Sequence, residues 1–132
     1  MSSEQLQEAM RRMDALLSHI WMVRTFLKHS EEVQDDDDLA TVHRDLYDFM
    51  LALGPSAAAG DAREYFRLAT RKAGRLRRAV ETFSRIQPQV SEHMNFKMAA
   101  RSLDIAWQEI RRLMEGLARE TAVPSDPGAE ED

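Results

Sequence analysis

The chain has 132 residues, one domain's worth, and enough for a single hydrophobic core. Its 18 Lys and Arg against 23 Asp and Glu leave a net charge of −5, which argues against indiscriminate coating of nucleic acid. The absence of cysteine excludes disulfides, thiolate–metal sites and a cysteine nucleophile. No apolar run approaches the roughly 18–20 residues of a membrane span, and the opening MSSEQLQEAM lacks the pattern of a secretory signal. A soluble, cytoplasmic protein is the expectation.

In chain order, Leu6, Ala9, Met13, Leu16, Ile20, Val23 and Leu27 recur at alternating steps of three and four. That spacing keeps one stripe of a helix turned toward partner helices. Ser2 and Gln5 stand ready as a capping box, and a helix is predicted over 3–29. The next stripe is Leu39, Val42, Leu46, Phe49 and Leu53. Asp36, Asp37 and Asp38 precede it as caps and dipole partners, and Gly54-Pro55 is its predicted stop, giving 38–53.

The third stripe, Ala62, Phe66, Ala69, Ala73, Leu76, Val80 and Phe83, follows Gly60 with Asp61 and Glu64 as its cap. Pro88 closes this helix, predicted over 61–87. A fourth, over 90–119, carries Phe96, Ala100, Leu103, Trp107, Ile110, Met114 and Leu117. Nothing alternates with period two for any length, so strands are not expected. The ending TAVPSDPGAEED (121–132) is proline-broken and acidic and predicts a disordered tail.

Four amphipathic helices with short links bury their stripes most simply as an antiparallel up-down-up-down bundle, here over 1–120. The second helix would be roughly 24 Å long against ~39 Å for the first, so a loop, 30–37 or 55–60, is expected to cover one end. Gly74 lies inside the third helix, where it costs up to about 1 kcal/mol of helix propensity unless a close helix approach uses it.

The bundle topology would bring His29, His43 and His93 to one pole, with Glu92 and the run Glu31, Glu32, Asp35, Asp36, Asp37 and Asp38. Imidazoles beside carboxylates suit zinc or another first-row metal. The inward Glu-x-x-His pairs of di-iron bundles and the i, i+4 histidines of a helical zinc site are both missing. Solvated or structural histidines are the competing reading, and no cofactor is expected.

The third helix holds eight basic residues against three acidic ones between Asp61 and Gln87. Arg63, Arg67, Arg71, Arg75 and Arg78 form one ridge on it, suited to an acidic partner surface or to phosphates. No aromatic residues interleave with the ridge, which weighs against nucleic acid. A solvated face, partly neutralised by Asp45 and Asp48, is the plainer reading.

Outside the stripes, Trp21, Met22, Met94, Met98 and Ile105 are expected to gather where the first and fourth helices adjoin. Such an apolar patch would mark a partner or self-association surface. A fold-back of the acidic loop, or a wider core, would absorb it instead.

Enzyme signatures are sparse. GPSAAAG (residues 54–60) lacks the Lys-Ser/Thr and the preceding strand of a phosphate-cradling loop. The stretch Arg24-Thr25-Phe26-Leu27-Lys28-His29 resembles the Arg-x4-His motif of HEPN-domain ribonucleases, which are small helical bundles. The resemblance covers six residues and implies that Arg24 and His29 bind and cleave an RNA backbone. It departs from the family in placing the motif on the first helix, with Thr25 at the polar position after the arginine. From the residues alone, Arg24 faces solvent and His29 sits in a last turn favoured by the helix dipole.

The function expected from sequence is therefore a non-enzymatic bundle working through protein contact, self-associating as a homodimer. A polar-end metal or hydrolytic site (His29, His43, His93) and an RNA-processing domain (Arg24, His29) stand as alternatives.

Overall fold

A computed structural model describes residues 1–121 and is helical throughout its regular parts. The order is α1 (Ser3–Lys28), α2 (Glu32–Asp35), α3 (Asp37–Ala59), α4 (Ala62–Val90) and α5 (Met94–Thr121), with no strand among the described residues. None of these helices is long and apolar enough to cross a membrane. Apart from Thr121, which ends α5, the tail expected to be disordered lies outside the described residues.

The helix starts follow local chemistry. Ser2 and Gln5 form the expected capping box, each side chain meeting the other residue's backbone N–H. Asp36 accepts from the Leu39 N–H at 3.0 Å and Asp61 from the Glu64 N–H at 3.1 Å, so each supplies a partner that the first turn lacks. The Glu64 carboxylate pairs with Arg67 and does not return to the cap.

Two stop signals misplace the helix ends. α3 runs through Gly54-Pro55 to Ala59, and α4 runs through Pro88 to Val90. A proline inside a helix removes one N–H, which orphans the carbonyl four residues back. Those carbonyls belong to Leu51 and Ser84, both exposed residues, and water can serve them. The actual stop of α3 is Gly60, at φ 67°, with the Asp61 N–H bonded to Ser56 O and the Gly60 N–H to Ala57 O. That pair of bonds is a Schellman closure, and the left-handed residue it needs is glycine. At 23 residues α3 is roughly 34 Å long, so no loop is needed to fill out a short helix. The 30–37 connection carries the short α2 instead.

α1 packs on α3 and α5, α4 packs on the same two, and α1 and α4 touch across the middle. Between α1 and α5, Arg12 reaches Glu109 (3.7 Å), His19 Nδ1 hydrogen-bonds Ser102 Oγ (3.2 Å), and Phe26 meets Phe96 edge-on at 4.9 Å. The numbers rise along one helix as they fall along the other. Met13, Ile20, Leu27, Leu46, Phe49, Tyr65, Leu76, Phe83, Leu103 and Ile110 are fully buried between the helices. Each such side chain contributes about 1.5–3 kcal/mol relative to exposure. Gly74 serves no close helix approach: a Cβ there would meet only Arg78 Nη1, at 3.7 Å.

Candidate functional site

On α1, Arg24 falls four residues after Ile20 and three before Leu27, which turns it toward the core flank that faces α3. It is 8% exposed, a burial unusual for arginine. This overturns the solvent-facing position expected for it. Its guanidinium carbon stands 4.1 Å from the centroid of Trp21, one turn earlier, and 5.0 Å from that of Tyr47 on α3. Both rings attract the cation through their π faces. Its one hydrogen bond among the described residues is a long contact, 3.5 Å, from Nη2 to Thr25 Oγ1, and Nε is buried without a partner.

Around Arg24 lies a groove of about 800 Å³ between α1 and α3. α1 lines it with Trp21, Arg24 and Lys28, α3 with Ala40, His43, Arg44, Tyr47 and Asp48, and α2 with Val33. The α3 positions recur at three- and four-residue steps, so the helix presents them along one flank. His43 Nε2 is also buried without a partner. Burial, and then the charges of Arg24, Lys28 and Arg44, hold the His43 imidazole below its ordinary pKa of 6.5. Asp48 is the one carboxylate among the described residues lining this stretch of the groove, and Arg75 of α4 draws on it from 3.6 Å and on Asp45 from 3.9 Å. Arg24, Lys28 and Arg44 make no ion pair among the described residues. Chemically, this end of the groove presents cationic side chains from two facing helices.

Past Trp21 and Tyr47 the groove continues as an apolar stretch of about 530 Å³ lined by Leu17, Met50, Leu51, Leu53, Pro55 and Ala57, with Asp14 at its edge. Leu51, 62% exposed, stands at its rim. The two aromatic rings belong to both stretches.

The expected apolar patch divides. Met98 and Ile105 line a shallow hollow with His19, Arg101 and Ser102 on the α1–α5 side. Trp21 is on the other flank of α1, because residues 19 and 21 are about 200° apart at 100° per residue. Met22 and Met94 are exposed outside both hollows. The basic ridge also divides: Arg67 pairs with Glu64, Arg75 serves α3, and Arg63, Arg71 and Arg78 are exposed with no ion pair among the described residues.

The three histidines expected at one pole form no metal-holding group among the described residues. His29 caps the end of α1, exposed, and the exposed His93 precedes α5, where its Nδ1 accepts from the Asn95 N–H at 3.0 Å. Among the described residues no three His, Asp or Glu side chains are placed to hold a metal. His29 does not line the groove that contains Arg24.

Lys28, Arg44, Tyr47 and Asp48 were not singled out from sequence as parts of a site. One signal was available: an arginine inserted beside the apolar register of α1, opposite a helix carrying His43, Arg44 and Tyr47 within five residues. No known protein family, curated protein or solved structure matches the chain.

Proposed function

We propose that the chain is a non-enzymatic cytoplasmic protein that acts by contact with a protein partner, and that the α1–α3 groove is the contact surface. The frame is an antiparallel up-down-up-down arrangement of the four long helices, a reading supported by the opposed α1–α5 residue pairs and by α3 packing between α1 and α4. The occupant that fits is an amphipathic helix. Its apolar face, spaced i, i+3/i+4, i+7, would lie along Leu17, Met50, Leu51 and Pro55, and its acidic end would lie over Arg24. The observation that carries this reading is Arg24 itself, a buried cation 4.1 and 5.0 Å from two aromatic rings and without an ion pair among the described residues.

Selection of a displayed library of helical peptides against the full chain tests it. Captured peptides should combine that apolar spacing with an acidic residue at one end, and Leu51→Glu or Trp21→Ala should abolish capture. Equal capture by both variants overturns the reading. Self-association is a second reading, favoured by the exposed Met98 and Ile105 that share the α1–α5 hollow. Light scattering decides it: a dimer that Ile105→Glu converts to a monomer supports it, and a monomer at all concentrations removes it.

A further inference from the structure

The cationic end of the groove has a narrower chemistry than general attraction for acids. We infer that Arg24 and His43 together form a carboxylate site, with Lys28 and Arg44 at its rim, that binds a single carboxylate even when the apolar stretch of the groove is empty. The inference rests on the partner-contact reading for its biological use, but the site stands on its own geometry.

Three observations carry it. Arg24 is more than nine-tenths buried, lines the groove, and keeps a buried Nε with no acceptor. His43 reaches the same groove from the opposing helix with a buried, unpartnered Nε2. Arg24 and His43 line one groove from two helices, and each carries a buried nitrogen without a protein partner, so an acceptor seated between the helices would meet an unsatisfied donor group on both sides. Asp48 does not fill that role, since Arg75 engages it from α4.

The guanidinium carbon lies 4.1 Å from the Trp21 ring and 5.0 Å from the Tyr47 ring, and the N–H donors of the guanidinium lie in its own plane. A planar carboxylate offers two oxygens in that plane.

Binding should also be linked to a proton. In the empty groove His43 faces Arg24 and Lys28 from α1, and Arg44, Tyr47 and Asp48 on its own helix; α2 contributes only Val33 to the lining. Burial, and then the cations, lower the imidazole's pKa and favour its neutral form. An arriving carboxylate reverses the local charge, so His43 takes up a proton and donates from Nε2 to the ligand. Affinity then rises as pH falls, by at most about tenfold per pH unit for one linked proton.

The experiment uses the full chain with glutarate, inorganic phosphate and a groove-binding peptide as separate probes, followed by NMR of the Arg24 Nε–H and the His43 ring. Glutarate should shift both signals saturably, bind more tightly at pH 6 than at pH 8, and raise the His43 titration midpoint. Arg24→Lys, which keeps the charge and loses the fork, should weaken glutarate binding about tenfold or more, the loss of a charge-assisted hydrogen bond. His43→Gln should retain binding at pH 8 and lose its pH dependence. Glutarate binding without capture of any peptide distinguishes failure of the partner reading from failure of this one. Unsaturable shifts, an undiminished response in Arg24→Lys, or phosphate binding more tightly than glutarate overturns the inference. If the peptide binds through a side-chain or terminal carboxylate, glutarate competes with it; if free organic acids are the source, glutarate binds and no peptide does.

Discussion

Replacing Arg24 with methionine keeps a side chain of similar length in the α1–α3 seam and removes one buried cation. The loss is the attraction to Trp21 and Tyr47, about 0.5–1 kcal/mol for each ring. The gain is release from burying an unpaired Nε on a charged group, about 1–3 kcal/mol. Methionine fills the irregular space and retains sulfur–aromatic contact. Taking the middle of each range, about 2 kcal/mol gained against about 1.5 kcal/mol lost leaves the variant more stable by about 0.5 kcal/mol, a rise in Tm of about 2 °C for a chain of this size. Urea unfolding should show the midpoint moving up with an unchanged slope. The same substitution removes one of the charges that depress His43, so the His43 titration midpoint should rise. A loss of more than about 2 kcal/mol would refute the reasoning, since Arg24 would then be a structural strut and not a binding group held at a cost in stability.

Three further outcomes follow from the same geometry. Gly74→Ala should stabilise α4 by about 0.5–1 kcal/mol in chemical denaturation, because the new methyl meets only Arg78 at 3.7 Å and the helix propensity improves. Gly60→Ala should do the opposite, costing about 1–2 kcal/mol by the same assay, since φ 67° is strained for any residue with a Cβ. The depressed pKa of His43 makes the unfolded chain the better proton acceptor near pH 6.5, so its contribution to stability is present above that pH and is lost as pH falls toward the folded value. His43→Gln should remove that part of the pH dependence of Tm.

Helices and their starts were legible in the residues because both are local. The three- and four-residue stripes place Met13, Ile20, Leu46, Phe49, Leu76 and Ile110 in the interior, and all are fully buried. Ser2, Asp36 and Asp61 cap through bonds that span three residues. Helix ends were less legible. Pro55 and Pro88 are tolerated because the carbonyls they orphan are on exposed residues, which no local pattern reveals.

The site depended on which helix faces which flank. A single stripe marks the middle of the buried face and leaves its two margins equivalent, so Trp21 reads equally well toward α5 or toward α3. Packing breaks that equivalence: with His19 on Ser102 of α5, Trp21 must turn to α3, where Tyr47 meets the guanidinium it already flanks. The burial of Arg24 has the same origin. Its charge alone predicts solvent, and only two aromatic rings brought together from separate helices create an environment that holds a cation out of water.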